Sequence, residues 1–301
     1  MKILKSALFI LTGVIILFSS CKSNKNSTGP KLLIRGSETE LPLIENYAYE
    51  FKETNAIEIS VSGGGSNKGI DDLMAQRIDI ANSSRIITEE EKNKLSERKI
   101  KWVQAIIGVD AIAIITHPSL HIESISLYQL SVIFNGKVTN WQQIGGPNKP
   151  IHLYGRKSSS GTHDFMKHRL NIDEYSSDIK EFDTYADILN SVKNDSNSIA
   201  YVSSSCIKQN IAKSAQNVFS MKVFIDNELD LSPFDEEAIN SGDYALIRPL
   251  FQYYDEANAN PEIRKFIRFE ISQRGQGLLK LYGYYKINVF HRQINSYYGF
   301  M

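Results

Sequence analysis

The sequence predicts an α/β fold, and two observations carry that prediction. Short apolar runs with strand character alternate with helical stretches along almost the whole chain, which argues for mainly parallel sheets flanked by helices. Three of these units share a further feature: the strand-like run enters its helix through a turn of small, hydroxyl-bearing or glycine residues.

Leu32-Leu33-Ile34 is the first apolar run, and it passes through Arg35-Gly36-Ser37-Glu38-Thr39 into a helical stretch from Leu43 to Phe51. Ile57 to Val61 follows, and Ser62-Gly63-Gly64-Gly65-Ser66-Asn67-Lys68-Gly69 separates it from an amphipathic helix over Ile70 to Arg77. Ile78 to Ala81 is the next strand-like run, and Glu89 to Arg98 is a charged helix. Trp102 to Ile107 and Asp110 to Ile115 read as two further strands, with Gly108-Val109-Asp110 as the crossing from one lobe to a second. Ser126 to Phe134 reads as a helix, and Asn135-Gly136 and Gly145-Gly146-Pro147-Asn148 as turns. Ile151 to Tyr154 then leads through Arg156-Lys157-Ser158-Ser159-Ser160-Gly161-Thr162 into a helix from His163 to Leu170. The return crossing is expected near Val218 to Ile225, so that Tyr244 to Tyr285 rejoins the first lobe, with Pro261 opening a helix that runs to Leu281. The expected division is therefore 31–108 and 223–301 in one lobe and 109–222 in the other.

A length of 301 residues suits about two domains, and fifteen tyrosines and fourteen phenylalanines supply a sizeable core. The formal net charge of +0 and the lack of a basic stripe argue against a nucleic-acid partner. Residues 1–21 read as an export signal: Lys2 and Lys5 precede the apolar run Ala7 to Phe18, and Ser19-Ser20 stand directly before Cys21. That run is short against the roughly 20 apolar residues a membrane span needs. Small residues before a cysteine resemble a bacterial lipoprotein signal, with Cys21 the lipidated residue and 22–30 a flexible tether. Cys206, near Ala200-Tyr201-Val202, is then expected as a small packing residue and not a reactive thiol.

The three turns suit a tetrahedral oxyanion. Helix N-termini present backbone N–H groups and partial positive charge, and hydroxyls and the Arg156 guanidinium stand beside them. Each turn also has a plainer reading. Gly63 to Gly65 suits a flexible turn, Ser158 to Ser160 and Thr39 suit helix caps, and Arg156 a surface ion pair. Asp79 suits a loop brace, Trp141 packing, and Arg248 an ion pair between the lobes. Catalytic signatures are weak. The serine-hydrolase pentapeptide Gly-x-Ser-x-Gly is missing, and His163 and His168 lie off the i, i+4 spacing of helical zinc ligands. No metal or cofactor is expected.

Seven segments, in order, carry a resemblance. They are Gly36 to Leu43, Gly63 to Ser66, Asp79 to Arg85, Ile133 to Trp141, Arg156 to Thr162, Ile199 to Val202 and Tyr244 to Leu250. Together they resemble the periplasmic phosphate-binding component of phosphate ABC transporters, from about Leu32 to Ile287. The resemblance implies a type II periplasmic-binding fold, with two α/β lobes, two crossovers and a ligand cleft between them. It implies a monomeric binding protein, not an enzyme, lipid-anchored at the periplasmic or envelope face of a membrane. Such a protein captures inorganic phosphate by cleft closure and delivers it to a permease. Carried over, Ser37 and Thr39 belong to the first anion loop, Ser66 to the second, Arg85 to the third motif, and Arg156, Ser160, Gly161 and Thr162 to the loop of the other lobe.

One position departs from the family pattern. Well-known family members place an aspartate, an acceptor for the proton of hydrogen phosphate, where this chain has Arg85, as a subset of shorter relatives do. Arginine only donates. Arg85 is therefore expected to add positive charge or to pair with an acidic neighbour, Glu38 or Glu40, and selectivity for phosphate over sulfate stays open. The alternatives are another oxyanion (sulfate, molybdate or tungstate), a sensor, or a phosphatase-like enzyme.

Overall fold

The computed structural model describes residues 31–210, 217–226 and 228–300. The export signal, Cys21 and the tether lie outside them. The first half of the chain runs β1 (Lys31–Gly36), α1 (Leu41–Lys52), β2 (Glu58–Ser62), α2 (Ser66–Met74), β3 (Ile80–Ser83), α3 (Glu89–Glu97) and β4 (Trp102–Thr116). β5 (Ser124–Ser126), α4 (Leu127–Phe134), β6 (His152–Arg156), α5 (Gly161–Arg169), β7 (Lys180–Phe182), α6 (Tyr185–Lys193), β8 (Ser198–Ser203) and α7 (Ser204–Asn210) follow. The chain ends with β9 (Phe219–Phe224), α8 (Glu236–Ser241), β10 (Ile247–Asp255), α9 (Pro261–Ile271), α10 (Gln273–Leu281) and α11 (Val289–Tyr297).

The strands lie in the order β2-β1-β3-β10-β4-β8-β6-β7, with β9 also on β4 and β5 on β9. Each wing is parallel, as βαβ connections require, and the antiparallel pairings all involve β4 or β10. Two apolar cores result. One gathers Leu32, Ile34, Tyr47, Phe51, Ile106, Tyr253 and Phe266, and the other Ile112, Ile114, Phe134, Trp141, Tyr201 and Tyr244. Alternate residues of β4, Ala113 and Ile115, face a third cluster with Ile188, Val192 and Val202. Burial on both faces explains why the end of this strand, Ala111 to Ile115, reads as an unbroken apolar run.

β4 is a single strand where the sequence suggested two. Its Trp102 end belongs with the first core and its Thr116 end with the second, and Gly108 sits where the allegiance changes. Beside it, antiparallel β10 makes the return: Ile247 packs on the second core and Leu250 to Tyr254 lie in the first. The pairing register shifts between Leu250 and Phe251, opposite Ile107, as at a bulge. The expected return at Val218 to Ile225 is therefore corrected. β9 pairs with Ile114 to Thr116 and with β5, and Tyr244 to Leu246 remain in the second core. The chain goes back to the first lobe only at β10. The expected helix from Pro261 to Leu281 is likewise two helices, broken at Ser272, whose extended backbone (ψ 166) lets its hydroxyl cap Gly275 at 3.2 Å.

Candidate functional site

The three small-residue turns meet between the two cores. Thr39, before α1, lies with its hydroxyl 3.4 Å from that of Thr162, in the first turn of α5. Gly161 is so close to the α2 start that a Cβ there would stand 2.3 Å from Ser66 Oγ and 2.7 Å from Ser84 Oγ. Gly65, at φ 92°, caps α2 and approaches the other lobe as tightly: a Cβ would lie 2.2 Å from the Ser159 carbonyl oxygen. Asn67 N–H donates to that same carbonyl at 3.4 Å, and Asn67 Nδ2 to the Ser158 carbonyl at 2.9 Å. Three helix N-termini, from both lobes, thus converge on one buried point, where the helix dipoles favour an anion.

Each side chain is held by its own element. Ser160 is the N-cap of α5 and accepts from Thr162 N–H at 3.2 Å, so the capping reading of that serine holds. Thr39 is not a cap; Glu40 occupies that position without a side-chain cap bond. Ser66 Oγ accepts from Ser84 N–H at 3.1 Å, which fixes the second turn to the end of β3. Ser37 is pinned to β3 by its N–H on the Asn82 carbonyl at 3.0 Å, and its hydroxyl is buried without a hydrogen bond of normal geometry.

Tyr185, at the start of α6, ties the hydroxyls together. Its OH lies 2.6 Å from Thr162 Oγ1 and 2.9 Å from Thr39 Oγ1, and the Arg156 guanidinium stacks on its ring at 4.6 Å. Arg156 is 2% exposed, so the surface ion-pair reading fails. Its Nε donates to the Phe182 carbonyl at 3.3 Å, its Nη1 is buried without a partner, and among the described residues no carboxylate forms an ion pair with it. Arg248 is different. It pairs with buried Asp110 at 2.9 Å, and Ser203 Oγ donates to the other oxygen of that carboxylate at 2.6 Å. Arg248 also donates to Thr39 Oγ1 at 3.1 Å and to the Ser84 carbonyl at 3.2 Å. The interlobe ion pair is thus wired from the paired strands β4 and β10 into the first turn.

Arg85 does not pair with Glu38 or Glu40. Glu38 accepts from Gly64 N–H at 2.5 Å, and Glu40 is buried with both carboxyl oxygens unpartnered. Arg85 instead meets Glu91 at 2.6 and 2.8 Å, Asn67 Oδ1 at 2.6 and 3.0 Å, the Ile86 carbonyl at 3.0 Å and Asp164 Oδ2 at 3.0 Å. A guanidinium has five N–H donors, and these contacts engage all of them. Burial pushes the Glu91 carboxyl up, but the hydrogen bonds from Arg85 and Thr88 outweigh that and hold it below its ordinary value. Burial raises Glu40 well above the usual carboxylate range, with Arg248 and Ser37 opposing.

A family model for the PBP superfamily domain matches residues 22–274. This chain belongs to the PBP superfamily. Within it, the chain is similar to the phosphate-binding protein PstS of Staphylococcus haemolyticus, 29% identical over 80% of this chain and 76% of that one. The Staphylococcus aureus PstS is 28% identical over 88% of this chain and 82% of its own length. Among solved structures, it resembles a Clostridium perfringens protein assigned as a phosphate ABC transporter substrate-binding protein, crystallised with bound phosphate. That match has a TM-score of 0.74 at 26% identity and covers 86% of this chain and all of the other. A Vibrio cholerae phosphate transport receptor, at 22% identity, shares the fold with a TM-score of 0.70 over 85% of this chain and 100% of its own.

Against this PBP-superfamily fold, the plainer readings divide. Asp79 braces β1, accepting from Leu33 N–H at 2.7 Å, and Trp141 is core packing with its Nε1 on the Asn197 carbonyl at 2.9 Å. Cys206 is partly buried beside the third cluster. Sequence reasoning missed Tyr185, Asp110, Ser84 and Asn67. Asn67 lies in the second small-residue turn, Ser84 in the Asp79 to Arg85 segment and Asp110 in the crossing tripeptide, so each had a local signal, whereas Tyr185 had none.

Proposed function

We propose that this protein binds inorganic phosphate between its two lobes and delivers it to the permease of an ABC transporter. The observation that carries the reading is Arg156: a buried guanidinium without a carboxylate partner, standing where three helix N-termini meet. A buried dianion needs donors to replace its water, and this cluster offers them without a metal. Ser37, Thr39, Ser66, Ser160, Gly161, Thr162 and Arg156 are assigned as the anion's ligands, with Tyr185 added. Hydroxyls both donate and accept, so Ser37 and Thr39 supply acceptors for a phosphate proton in place of the family's aspartate. Arg85, its donors already engaged, is assigned beside the anion and not on it.

Charge-assisted bonds contribute roughly 1.5–3 kcal/mol net each, and a micromolar complex needs about 8 kcal/mol. A handful of these contacts suffices, and contacts from both lobes favour the closed form. The ligand leaves unchanged, so no catalytic residue is assigned; the His163 ring lies tilted against Tyr175 with centroids 4.7 Å apart and is assigned as packing. Among the described residues no helix is long and apolar enough to cross a membrane. Attachment is assigned to lipid on Cys21, on the extracytoplasmic side, with the protein acting as a monomer.

Calorimetric titration against phosphate, sulfate and molybdate tests the reading. Phosphate should bind one to one and more tightly than the other two, and Arg156→Ala should weaken it by roughly 10- to 100-fold with its circular-dichroism spectrum unchanged. Equal affinities for phosphate and sulfate would exclude a site that reads the proton. Unchanged binding in the variant would remove Arg156 from the site.

A further inference from the structure

We propose that Arg85 and Asp164 form a latch across the cleft that slows release of the bound anion. Arg85 follows β3 in the first lobe, whereas Asp164 stands in the first turn of α5, the helix whose N-terminus faces the anion site from the second lobe. Their contact, Nε to Oδ2 at 3.0 Å, joins the lobes beside the ligand and does not touch it. Asn67 extends the same seam through its bonds to the Ser158 and Ser159 carbonyls.

Arg85 is set in place before the lobes meet. Glu91 grips it with both oxygens, and Glu91 is itself fixed by the Thr88 N–H at 2.8 Å in the capping box of α3. Asn67 Oδ1 takes two more of its donors. All of these partners belong to the first lobe, so opening the cleft frees only Asp164, which is 33% exposed and readily hydrated. With the guanidinium preorganised, closure has only Asp164 left to order, so the contact favours the closed state. Partial exposure keeps the effect modest and sensitive to salt. A contact made only after the lobes close appears chiefly in the dissociation rate. Asp164 also faces His163 Nδ1 at 3.1 Å, a neighbour on its own helix that moves with it.

The latch deepens the phosphate-binding reading and rests on it for its kinetic readout. The test compares full-length wild type with Asp164→Asn and Asp164→Glu by stopped-flow phosphate release and by small-angle scattering of the phosphate-free protein. Asp164→Asn should raise the dissociation rate about three- to tenfold, leave association within about twofold, and enlarge the radius of gyration, with Asp164→Glu restoring part of each. Added sodium chloride should speed release from wild type more than from Asp164→Asn. If Asp164 were merely a negative charge near the anion, its removal would tighten binding, and that result would overturn the latch. Unchanged release and unchanged size would overturn it as well. Wild type that fails to bind phosphate at all would sink the functional reading, and the scattering comparison would still decide the latch.

Discussion

At the scale of single residues, charge accounting separates three arginines that look alike in the sequence. Arg248 is neutralised by Asp110 and Arg85 by Glu91 and Asp164, whereas among the described residues no carboxylate pairs with Arg156. The buried carboxyls make a second, independent prediction. Burial, reinforced by neighbouring Glu40, holds Glu270 well above the usual carboxylate range, with a Gln252 hydrogen bond opposing. The folded state therefore binds more protons than the unfolded one. The contribution to stability is fully present below the unfolded value, near 4.3, and is lost as pH rises through the folded value. Glu270→Gln should flatten the fall of the melting temperature as pH rises above about 4.3 and raise it at the upper end of the range. A slope identical to that of wild type, in thermal melts across that range, would show that Glu270 is already ionised.

At the scale of elements, the strand–turn–helix units were legible because their cues are local: small residues at the turn and an apolar run on either side. What links the units was not. Thr39 meets Tyr185 across 146 positions and Arg248 across 209, and no local pattern encodes such a meeting. β9 reads like any other strand, and only its register on β4 places it in the second lobe. The apolar pattern of α9 carries on into α10, so the break at Ser272 is hidden; there the backbone turns so sharply that a Cβ on Gly275 would lie 2.3 Å from two carbonyl oxygens. The close approach of the turns yields a steric prediction. Gly161→Ala places a methyl against Ser66 and Ser84, in the other lobe, at the first helical position, where alanine is otherwise acceptable. Phosphate affinity should fall at least about tenfold by calorimetry while the melting temperature of the free protein stays within a few degrees. Full affinity in this variant would mean that the two turns do not approach this closely in the bound state.

At the scale of the whole molecule, two strands do the connecting. β4 and β10 each pass from one core to the other, and the Asp110–Arg248 pair sits on them at the crossing, reaching Thr39 at one end of its hydrogen bonds and Ser203 at the other. Arg248 reaches Thr39 from this crossing, so the crossing and the candidate anion site share side chains. Family resemblance in the sequence gave the two-lobed plan. The position of the second crossing needed the strand pairing itself, because it depends on which strand lies beside β4. The claim underlying all of this is that one phosphate is held by both lobes at once. The crystal structure of the phosphate complex tests it most directly. The account predicts the anion between α1, α2 and α5, with oxygens within hydrogen-bonding distance of Thr39, Ser66, Thr162 and Arg156 and with Arg85 still on Asp164. Phosphate held by one lobe alone, or lodged outside this cleft, would contradict it.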